Sequence, residues 1–353
     1  MIATWNQFCF TGGYIEAAVS LPATSKIPGM WPAVWTMGNL GRAGYGGSLD
    51  GTWPYTYDSC DVGTLKNQTL KGDPAFTKAE GDKWNQYHFS YLPGQRLSAC
   101  TCPDDPLHPG PKRKDGTFVG RAAPEIDMIE ATIHGGWEED EDARYGQVSL
   151  SGQWAPFNPS YEYVNTSTST QLWDTKKAYY NDYLGGVYQQ ATSVLGETDP
   201  DCYTGAKGCF SRYGFEYATG DDGYITWLSN GKKTWTLRSE AMGPNTRAKI
   251  GQRLVSVEPM YIIINLGLSE NFGAVDYDGL GALFPVEMWV DYVRVYQDPK
   301  KRNIGCDPKD FPTAEYIAKI PEAFQNPNIT TFAQLQDKYP DLKWPKNRLI
   351  DSC

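Results

Sequence analysis

The stretch APEIDMIEA, residues 123–131, places three carboxylates among apolar side chains. The apolar residues predict a β-strand that is at least partly buried. Glu125, Asp127 and Glu130 are costly in such a strand, because a buried charge loses its hydration. Either the acids face solvent on an edge strand, or they line a site that uses them.

The spacing of the acids bears on this choice. Regular alternation puts Glu125 and Asp127 on one face of the strand and Glu130 on the other. A β-bulge within residues 128–130 would absorb one residue and turn Glu130 towards the other two acids. We therefore predict a bulge at this point and three carboxyls that converge on one face.

Convergent carboxyls suit the cleavage of glycosidic bonds. In retaining glycosidases two carboxyls lie about 5–5.5 Å apart, one as the nucleophile and the other as the acid/base. Crowding raises the pKa of one partner, which keeps that partner protonated. The pattern predicts that Glu125, Asp127 and Glu130 are catalytic residues.

Two tryptophans give the site a possible sugar-binding floor. Trp31 and Trp35 share one side of a predicted strand at 29–38, with the small Ala33 between them. Flat aromatic rings complement the apolar faces of sugars, which favours a binding role. Tryptophans in such a strand equally suit the core of a sandwich, and the pattern alone leaves both possibilities open.

The rest of the chain predicts an all-β sandwich or barrel with long loops. The 353 residues include 36 glycines and 24 prolines, and 14% of them are aromatic. Strands are predicted at 14–21, 29–38, 123–131, 146–157, 212–237, 260–268 and 286–297. Residues 158–212 are predicted as a long polar insertion. Short helices are predicted after residue 298, in a tail held through Cys306 and Cys353.

Composition limits the partners and the compartment. A formal net charge of -10 argues against a nucleic-acid partner. Eight cysteines allow four disulfides without fixing their pairing, and sequons at Asn67, Asn165 and Asn328 also favour the secretory pathway. No apolar run is long enough for a membrane span. The histidines are scattered and no phosphate-binding loop is present, so no metal and no cofactor are predicted.

The motifs resemble glycoside hydrolase family 16 and, within it, the fungal β-1,6-glucan synthesis-associated proteins. EIDMIE has the form of the bulged E-x-D-x-x-E signature of that family. The stretches that fit the fungal group are TWNQFCFTGGYIE (4–16), SYLPGQRLSACTCP (90–103), PEIDMIEA (124–131), MYIIINLGLSENFG (260–273) and VDYVRVYQ (290–297).

This resemblance implies a β-jelly-roll sandwich of the concanavalin A-like lectin/glucanase type, with a catalytic domain at 1–298 and a C-terminal extension at 299–353. It implies retaining chemistry on β-glucan, with Glu125 as the nucleophile, Asp127 as its helper and Glu130 as the acid/base. Members of the fungal group are type II membrane proteins. The resemblance therefore implies the lumen of the secretory pathway or the cell surface, with membrane attachment only through an anchor absent from this chain.

Two departures from the family pattern bear on function. Family members carry further N-terminal strands before WNQFCFTGG, so an unpaired sheet edge is expected here. Many laminarinase-like enzymes place a histidine on the strand after the acids, where this chain offers Ser149, Ser151 and Gln153. We predict Gln153 as a sugar contact.

The leading hypothesis is a retaining glycosidase or transglycosylase of fungal cell-wall β-1,6-glucan biosynthesis, whose partner is a β-glucan polysaccharide. The alternative is a catalytically weak or inactive glucan-binding or assembly protein. No oligomeric state is predicted.

Overall fold

The computed structural model describes residues 1–73, 93–137, 140–155, 162–186, 189–220 and 222–353. Over these ranges the chain forms two antiparallel β-sheets that pack face to face, with few helices. This confirms the predicted all-β jelly-roll sandwich. None of the helices in the described ranges has the length and apolar character needed to cross a membrane.

The first sheet has the strand order β1-β14-β4-β5-β6-β10-β8, with β2 also paired to β14 and β9 to β10. Its strands are β1 (Ile2–Ala3), β2 (Cys9–Phe10), β4 (Met30–Gly38), β5 (Glu125–His134), β6 (Tyr145–Trp154), β8 (Ala178–Tyr180), β9 (Gly185–Gly186), β10 (Gln189–Glu197) and β14 (Met260–Leu268).

The second sheet has the order β15-β3-β11-β12-β13-β7. Its strands are β3 (Gly13–Ser20), β7 (Thr170–Leu172), β11 (Ser211–Ala218), β12 (Tyr224–Ser229), β13 (Lys232–Arg238) and β15 (Trp289–Tyr296). The helices are α1 (Gly46–Leu49), α2 (Tyr277–Gly281), α3 (Ala314–Lys319), α4 (Glu322–Gln325) and α5 (Phe332–Lys338).

The main core lies between the two sheets. Each strand contributes alternate apolar residues, such as Ile15 of β3 from one sheet and Ile126 of β5 from the other, and both are buried. Trp227 and Trp235 stack within this core, with ring centroids 4.4 Å apart. The opposite face of the first sheet therefore points away from the core, and this face carries the site described below.

The strands predicted outside residues 158–212 are confirmed, except that positions 156–157 of the strand predicted at 146–157 lie outside the described residues. The polar insertion predicted at 158–212 is wrong. That segment supplies β7 to β10, and the nine-residue β10 pairs along the length of β6. The sequence of β10 does not show the apolar alternation typical of a strand, because the buried residues Gln190 and Thr192 are polar. Their partners, Arg253 and Trp154, come from elsewhere in the chain.

The C-terminal helices and their attachment are confirmed. Helix α5 begins with a capping box, in which Thr331 and Gln334 bond reciprocally to each other's backbone. Disulfides join the tail to the rest of the chain, as Cys9–Cys306 and Cys102–Cys353. The other two bridges are Cys60–Cys100 and Cys202–Cys209. All eight cysteines are thus paired, although the sequence did not reveal which pairs form.

Candidate active site

Strand β5 carries the three acids in the interior of the first sheet, between β4 and β6. Trp35 of β4 lies opposite Asp127, and the preceding residue, Val34, lies opposite Ile129, so that Met128 is an extra residue on β5. The pairing with β6 shifts at the same place. The predicted bulge is therefore confirmed.

The bulge turns all three acids to the face that points away from the core. Directly opposed residues of antiparallel strands share a face. Glu125, Asp127 and Glu130 lie opposite Met37, Trp35 and Ala33 of β4, and opposite Gln153, Ser151 and Ser149 of β6. The alternative of solvated acids on an edge strand is wrong, because β5 is an interior strand and Asp127 is only 1% exposed.

Each carboxyl accepts a hydrogen bond from a side chain of another element. The donors are Trp53 to Glu125 (2.5 Å), Ser151 and Gln153 to Asp127 (2.8 and 3.3 Å), and Trp31 to Glu130 (3.1 Å). The indole of Trp227 in the core donates to the backbone carbonyl of Asp127 at 2.8 Å, beside the bulge. These bonds restrict the rotation of the carboxyls and hold the irregular backbone.

Burial raises the pKa of every acid in this cluster, and neighbouring charges raise those of the two glutamates further. Burial, and then the charge of Asp127, raise the pKa of Glu130 to about 8. Burial raises the pKa of Asp127 to about 6, although the bond from Ser151 favours its charged form. Burial, and then both neighbouring carboxyls, raise the pKa of Glu125 well above its usual range, against the bond from Trp53. The cluster therefore retains protons near neutral pH.

This electrostatic arrangement supports paired acid and nucleophile chemistry. Carboxyls that repel one another cannot all be ionised, so one remains an acid while another is a carboxylate. The acid can protonate a leaving oxygen, and the carboxylate can attack carbon or activate water.

We expect Glu130→Gln to stabilise the fold at neutral and alkaline pH. The pKa of Glu130 is about 8 in the folded chain and has its usual value of 4.5 in the unfolded chain. Between pH 4.5 and pH 8, the folded chain therefore binds one proton that the unfolded chain does not. Stability therefore falls as pH rises through that window. Glutamine removes this penalty, for a gain on the order of a few kcal/mol at pH 8 and none at pH 4. Urea unfolding at both pH values measures the effect, and an equal change at both would contradict the raised pKa.

The two tryptophans of β4 lie beside the acids, and both are half-buried. The ring of Trp31 stacks on Phe272, with centroids 4.4 Å apart and 4° between the planes. The indole of Trp35 donates to the side-chain oxygen of Asn265 on β14 at 2.7 Å. Both rings are thus fixed by partners, and their role in sugar binding stays a prediction.

Gln153 extends the cluster onto β6. It lies opposite Glu125, and its amide nitrogen donates to Asp127. Its side-chain oxygen is buried and has no hydrogen-bond partner among the described residues. A hydroxyl group of a ligand would satisfy this oxygen. The predicted sugar contact through Gln153 stays a prediction.

Trp53 is a site residue that the sequence did not reveal. It lies in the loop that follows α1. The backbone nitrogen of Trp53 donates to the carbonyl of Leu49, and that of Ala123 donates to the carbonyl of Thr52, both at 2.9 Å. The second bond fastens the loop beside the start of β5. Asn265 and Phe272 were also missed, because only strand pairing and loop packing bring them to the site.

The C-terminal tail supports the loop that carries Trp53. The backbone nitrogen of Gly47 donates to the carbonyl of Ile329 at 2.8 Å, and that of Phe332 donates to the carboxylate of Asp50 at 2.7 Å. A side chain at Gly47 would place its Cβ only 2.7 Å from Ile329, so α1 packs closely on the tail. The tail thereby helps to position the donor to Glu125.

Potential metal ligands come together, among the described residues, at Asp199, Cys202 and Cys209. These two cysteines form a disulfide, so their sulfurs are not thiolate ligands. Of the three histidines in the sequence, His88 lies outside the described residues.

Comparison with known proteins identifies close sequence relatives. The family model described as beta-glucan synthesis-associated protein SKN1/KRE6/Sbg1 matches residues 1–353. The chain is 40% identical over 357 residues to the beta-glucan synthesis-associated protein KRE6 of Candida albicans, covering 99% of this chain and 43% of that protein. It is 39% identical over 363 residues to KRE6 of Saccharomyces cerevisiae, covering 100% of this chain and 44% of that protein. The chain thus spans less than half the length of these relatives.

Similarity to solved structures is lower. The catalytic domain of an endo-1,3-beta-glucanase (laminarinase) from Thermotoga petrophila is 17% identical, with a TM-score of 0.38, over 84% of this chain and 68% of that one. A glycoside hydrolase family 16 endo-glucanase from Bacteroides ovatus is 16% identical, with a TM-score of 0.37, over 82% of this chain and 70% of that one.

Proposed function

Because the chain belongs to the SKN1/KRE6/Sbg1 family of beta-glucan synthesis-associated proteins, we propose that it acts on β-glucan as a retaining glycosidase or transglycosylase. The proposed cellular role is fungal cell-wall β-1,6-glucan biosynthesis and wall organisation. The observation that carries this proposal is the bulged strand that turns Glu125, Asp127 and Glu130 to one face, each with its own hydrogen-bond donor.

The proposed reaction is a double displacement. Glu125 attacks the anomeric carbon, while Glu130 gives its proton to the leaving glycosidic oxygen. Water, or a hydroxyl group of a second glucan chain, then attacks the glycosyl ester on Glu125, and the carboxylate of Glu130 takes the proton of the attacking group. Its pKa of about 8 favours the protonated form of Glu130 that the first step requires.

Asp127 is proposed to hold the proton that Glu125 must lose before it can attack. The two carboxyls share a hydrogen bond, and burial raises the pKa of both. The proton between them can therefore reside on either carboxyl. The bond from Trp53 favours the carboxylate form of Glu125 and so assists its role as a nucleophile.

The glucan is proposed to lie across the face that carries the acids. Trp31 and Trp35 would contact sugar rings, and the unpartnered oxygen of Gln153 would accept a hydrogen bond from a sugar hydroxyl. Trp31 also donates a hydrogen bond to Glu130, so a sugar ring that contacts Trp31 would lie next to the Glu130 carboxyl group.

Replacing Trp53 by phenylalanine is expected to move the pH dependence of turnover. The variant removes the bond that favours the carboxylate form of Glu125, so the pKa of that group rises further. The acidic limb of the kcat/KM profile should shift to higher pH, and the rate on that limb should fall about tenfold. Trp173→Phe is the matched control, because Trp173 lies outside the site and donates to Thr236 and not to an acid. Coincident profiles for Trp53→Phe and the unaltered chain would contradict this role.

Incubation with defined β-1,3- and β-1,6-linked gluco-oligosaccharides tests the proposed function. We expect products whose new anomeric centre has the β configuration of the substrate, as two successive displacements require. Products longer than the donor indicate transfer, and shorter products alone indicate hydrolysis. Products of inverted configuration, or no turnover of either linkage, would contradict the proposal.

The second candidate is a glucan-binding or assembly protein whose acids no longer act in catalysis. It is favoured by β6, which presents Ser149, Ser151 and Gln153 where many laminarinase-like enzymes place a histidine. Under this alternative, Glu125→Gln would still restore wall formation in a cell that lacks the parent gene. The catalytic proposal predicts that the same variant fails to do so.

We also propose that the protein resides in the lumen of the secretory pathway or at the cell surface. Four disulfides and the exposed sequon residues Asn67, Asn165 and Asn328 support this location. The division into a catalytic domain at 1–298 and an extension at 299–353 likewise stays a proposal.

A further inference from the structure

Strand β15 carries a second set of aromatic side chains, on the other sheet. Its pairing with β3 shifts between Val290 and Tyr292, which makes Asp291 an extra residue. As a result, the residues opposite the outward-facing positions of β3 are Trp289, Tyr292, Arg294 and Tyr296. Without this bulge Trp289 would point to the opposite face from the two tyrosines.

The remaining side chains of β15 show which face this is. Val290, Val293 and Val295 pack against the main core. Trp289, Tyr292 and Tyr296 therefore form an aromatic track on the outer face of the second sheet, roughly 20 Å long at the usual rise of a strand. The acids lie on the outer face of the first sheet, on the other side of the core.

The rings at the two ends of the aromatic track are fixed and accessible. Trp289 lies against Gly208, where an added Cβ would be 3.2 Å from the ring, and its indole donates to Glu287 at 2.9 Å. Tyr296 stacks beside Tyr14, with centroids 5.8 Å apart. Trp289 and Tyr296 nevertheless remain 43% and 46% exposed.

A buried carboxylate orders the tyrosines. Glu16 of β3 is 7% exposed, although it lies on the outer face, and it accepts hydrogen bonds from Tyr14 at 2.8 Å and from Tyr296 at 3.3 Å. The guanidinium of Arg294 lies 3.7 Å from the centre of the Tyr292 ring. Rings that are ordered before binding lose little conformational entropy when a ligand arrives.

We propose that the aromatic track binds a β-glucan chain, at a surface separate from the acids. Flat, ordered aromatic rings complement sugar faces. Arg294 lies opposite Glu16, and on the other side of β3 Arg212 and Glu216 lie opposite Ala18 and Tyr14. Charges of both signs therefore share this face, which suits a neutral polyhydroxyl chain better than a charged partner. The identity of the ligand rests on the proposed function, whereas binding at the track needs no catalysis.

Binding to polymer in a Glu125→Gln background tests this proposal, because that variant should not consume the polymer. Affinity electrophoresis in soluble β-1,3-glucan and in soluble β-1,6-glucan gives the dissociation constant. Adding Trp289→Ala and Tyr296→Ala should weaken binding to at least one polymer about tenfold, and each single change about threefold. The Phe pair at both positions should retain binding within about threefold. Tyr183→Ala, at a tyrosine 57% exposed outside the track, should have no effect.

The melting temperature of each variant verifies that it folds. If the double Ala variant melts at a lower temperature than the Glu125→Gln parent, the single Ala variants are compared instead. Equal retardation of the Ala variants and the Glu125→Gln parent would overturn the proposal, as would a parent that neither polymer retards. Loss of self-association in the Ala variants without any change in glucan binding would also overturn it, since the track would then be a protein contact. If the unaltered chain shows no turnover but the aromatic track still binds polymer, the proposed function is removed and this inference stands.

Discussion

Replacing Glu125 by alanine is expected to lower the rate of β-glucan cleavage or transfer by at least about 10³-fold, because the variant lacks the carboxylate that we propose forms the glycosyl ester. The fold should survive, since burial and two neighbouring carboxyls already disfavour the charge of Glu125. Turnover of a defined gluco-oligosaccharide, measured beside the thermal melt, gives both results.

Added azide separates a nucleophile from an acid/base. In Glu125→Ala, azide can enter from the side that the missing carboxylate used, and the product should be the α-glycosyl azide. In Glu130→Ala, azide should instead attack the glycosyl ester on Glu125, and the product should be the β-glycosyl azide. The opposite assignment of anomers would exchange the proposed roles. Unchanged activity in Glu125→Ala would remove the catalytic proposal.

Replacing Glu130 by glutamine is expected to lower the rate on natural glucan about 10²- to 10⁴-fold. The amide keeps a hydrogen bond to Trp31 possible but has no acidic proton to give to the leaving oxygen. An aryl glycoside with an acidic phenol needs little protonation, so its first step should be much less impaired. The ratio of the two kcat/KM values, which report the first step and not the second step that Glu130 assists as a base, measures the contribution of the acid.

Glu240→Gln is the matched control for this change. Glu240 is exposed in the short 3₁₀ helix Ser239–Met242, outside the site. It should leave both rates unchanged. Equal losses of kcat/KM on the two substrates in Glu130→Gln would contradict the acid role and would indicate a structural defect.

The bulge could be predicted because its cause is local. A strand that alternates regularly would bury Glu130 in the core opposite the other two acids, at a high cost in hydration. One extra residue, Met128, removes that cost, because it turns Glu130 away from the core and lets Ile129 enter the core beside Met128. The strand β14 and the helix α5 were likewise predictable, because a continuous apolar run and a capping pair each lie within a few consecutive residues.

Other parts of the site depend on distant contacts and could not be predicted. Strand β10 buries polar residues whose partners are remote in sequence, so it lacks an apolar alternation. Trp53 reaches Glu125 only because an irregular loop is fastened to Ala123 and to the tail. The Cys9–Cys306 bridge joins residues 297 positions apart, a pairing that spacing cannot specify.

The most direct test of the account is to trap the glycosyl ester. The donor is a β-linked gluco-oligosaccharide with fluorine at C2 and a dinitrophenyl leaving group. The fluorine slows both displacement steps, whereas the leaving group accelerates only the first, so the glycosyl ester should accumulate. Peptide mass spectrometry should locate one sugar adduct on Glu125, and Glu125→Gln should carry none. An adduct on Asp127 or Glu130, or release of dinitrophenol without any adduct, would contradict the claim that the bulged strand presents Glu125 as the nucleophile.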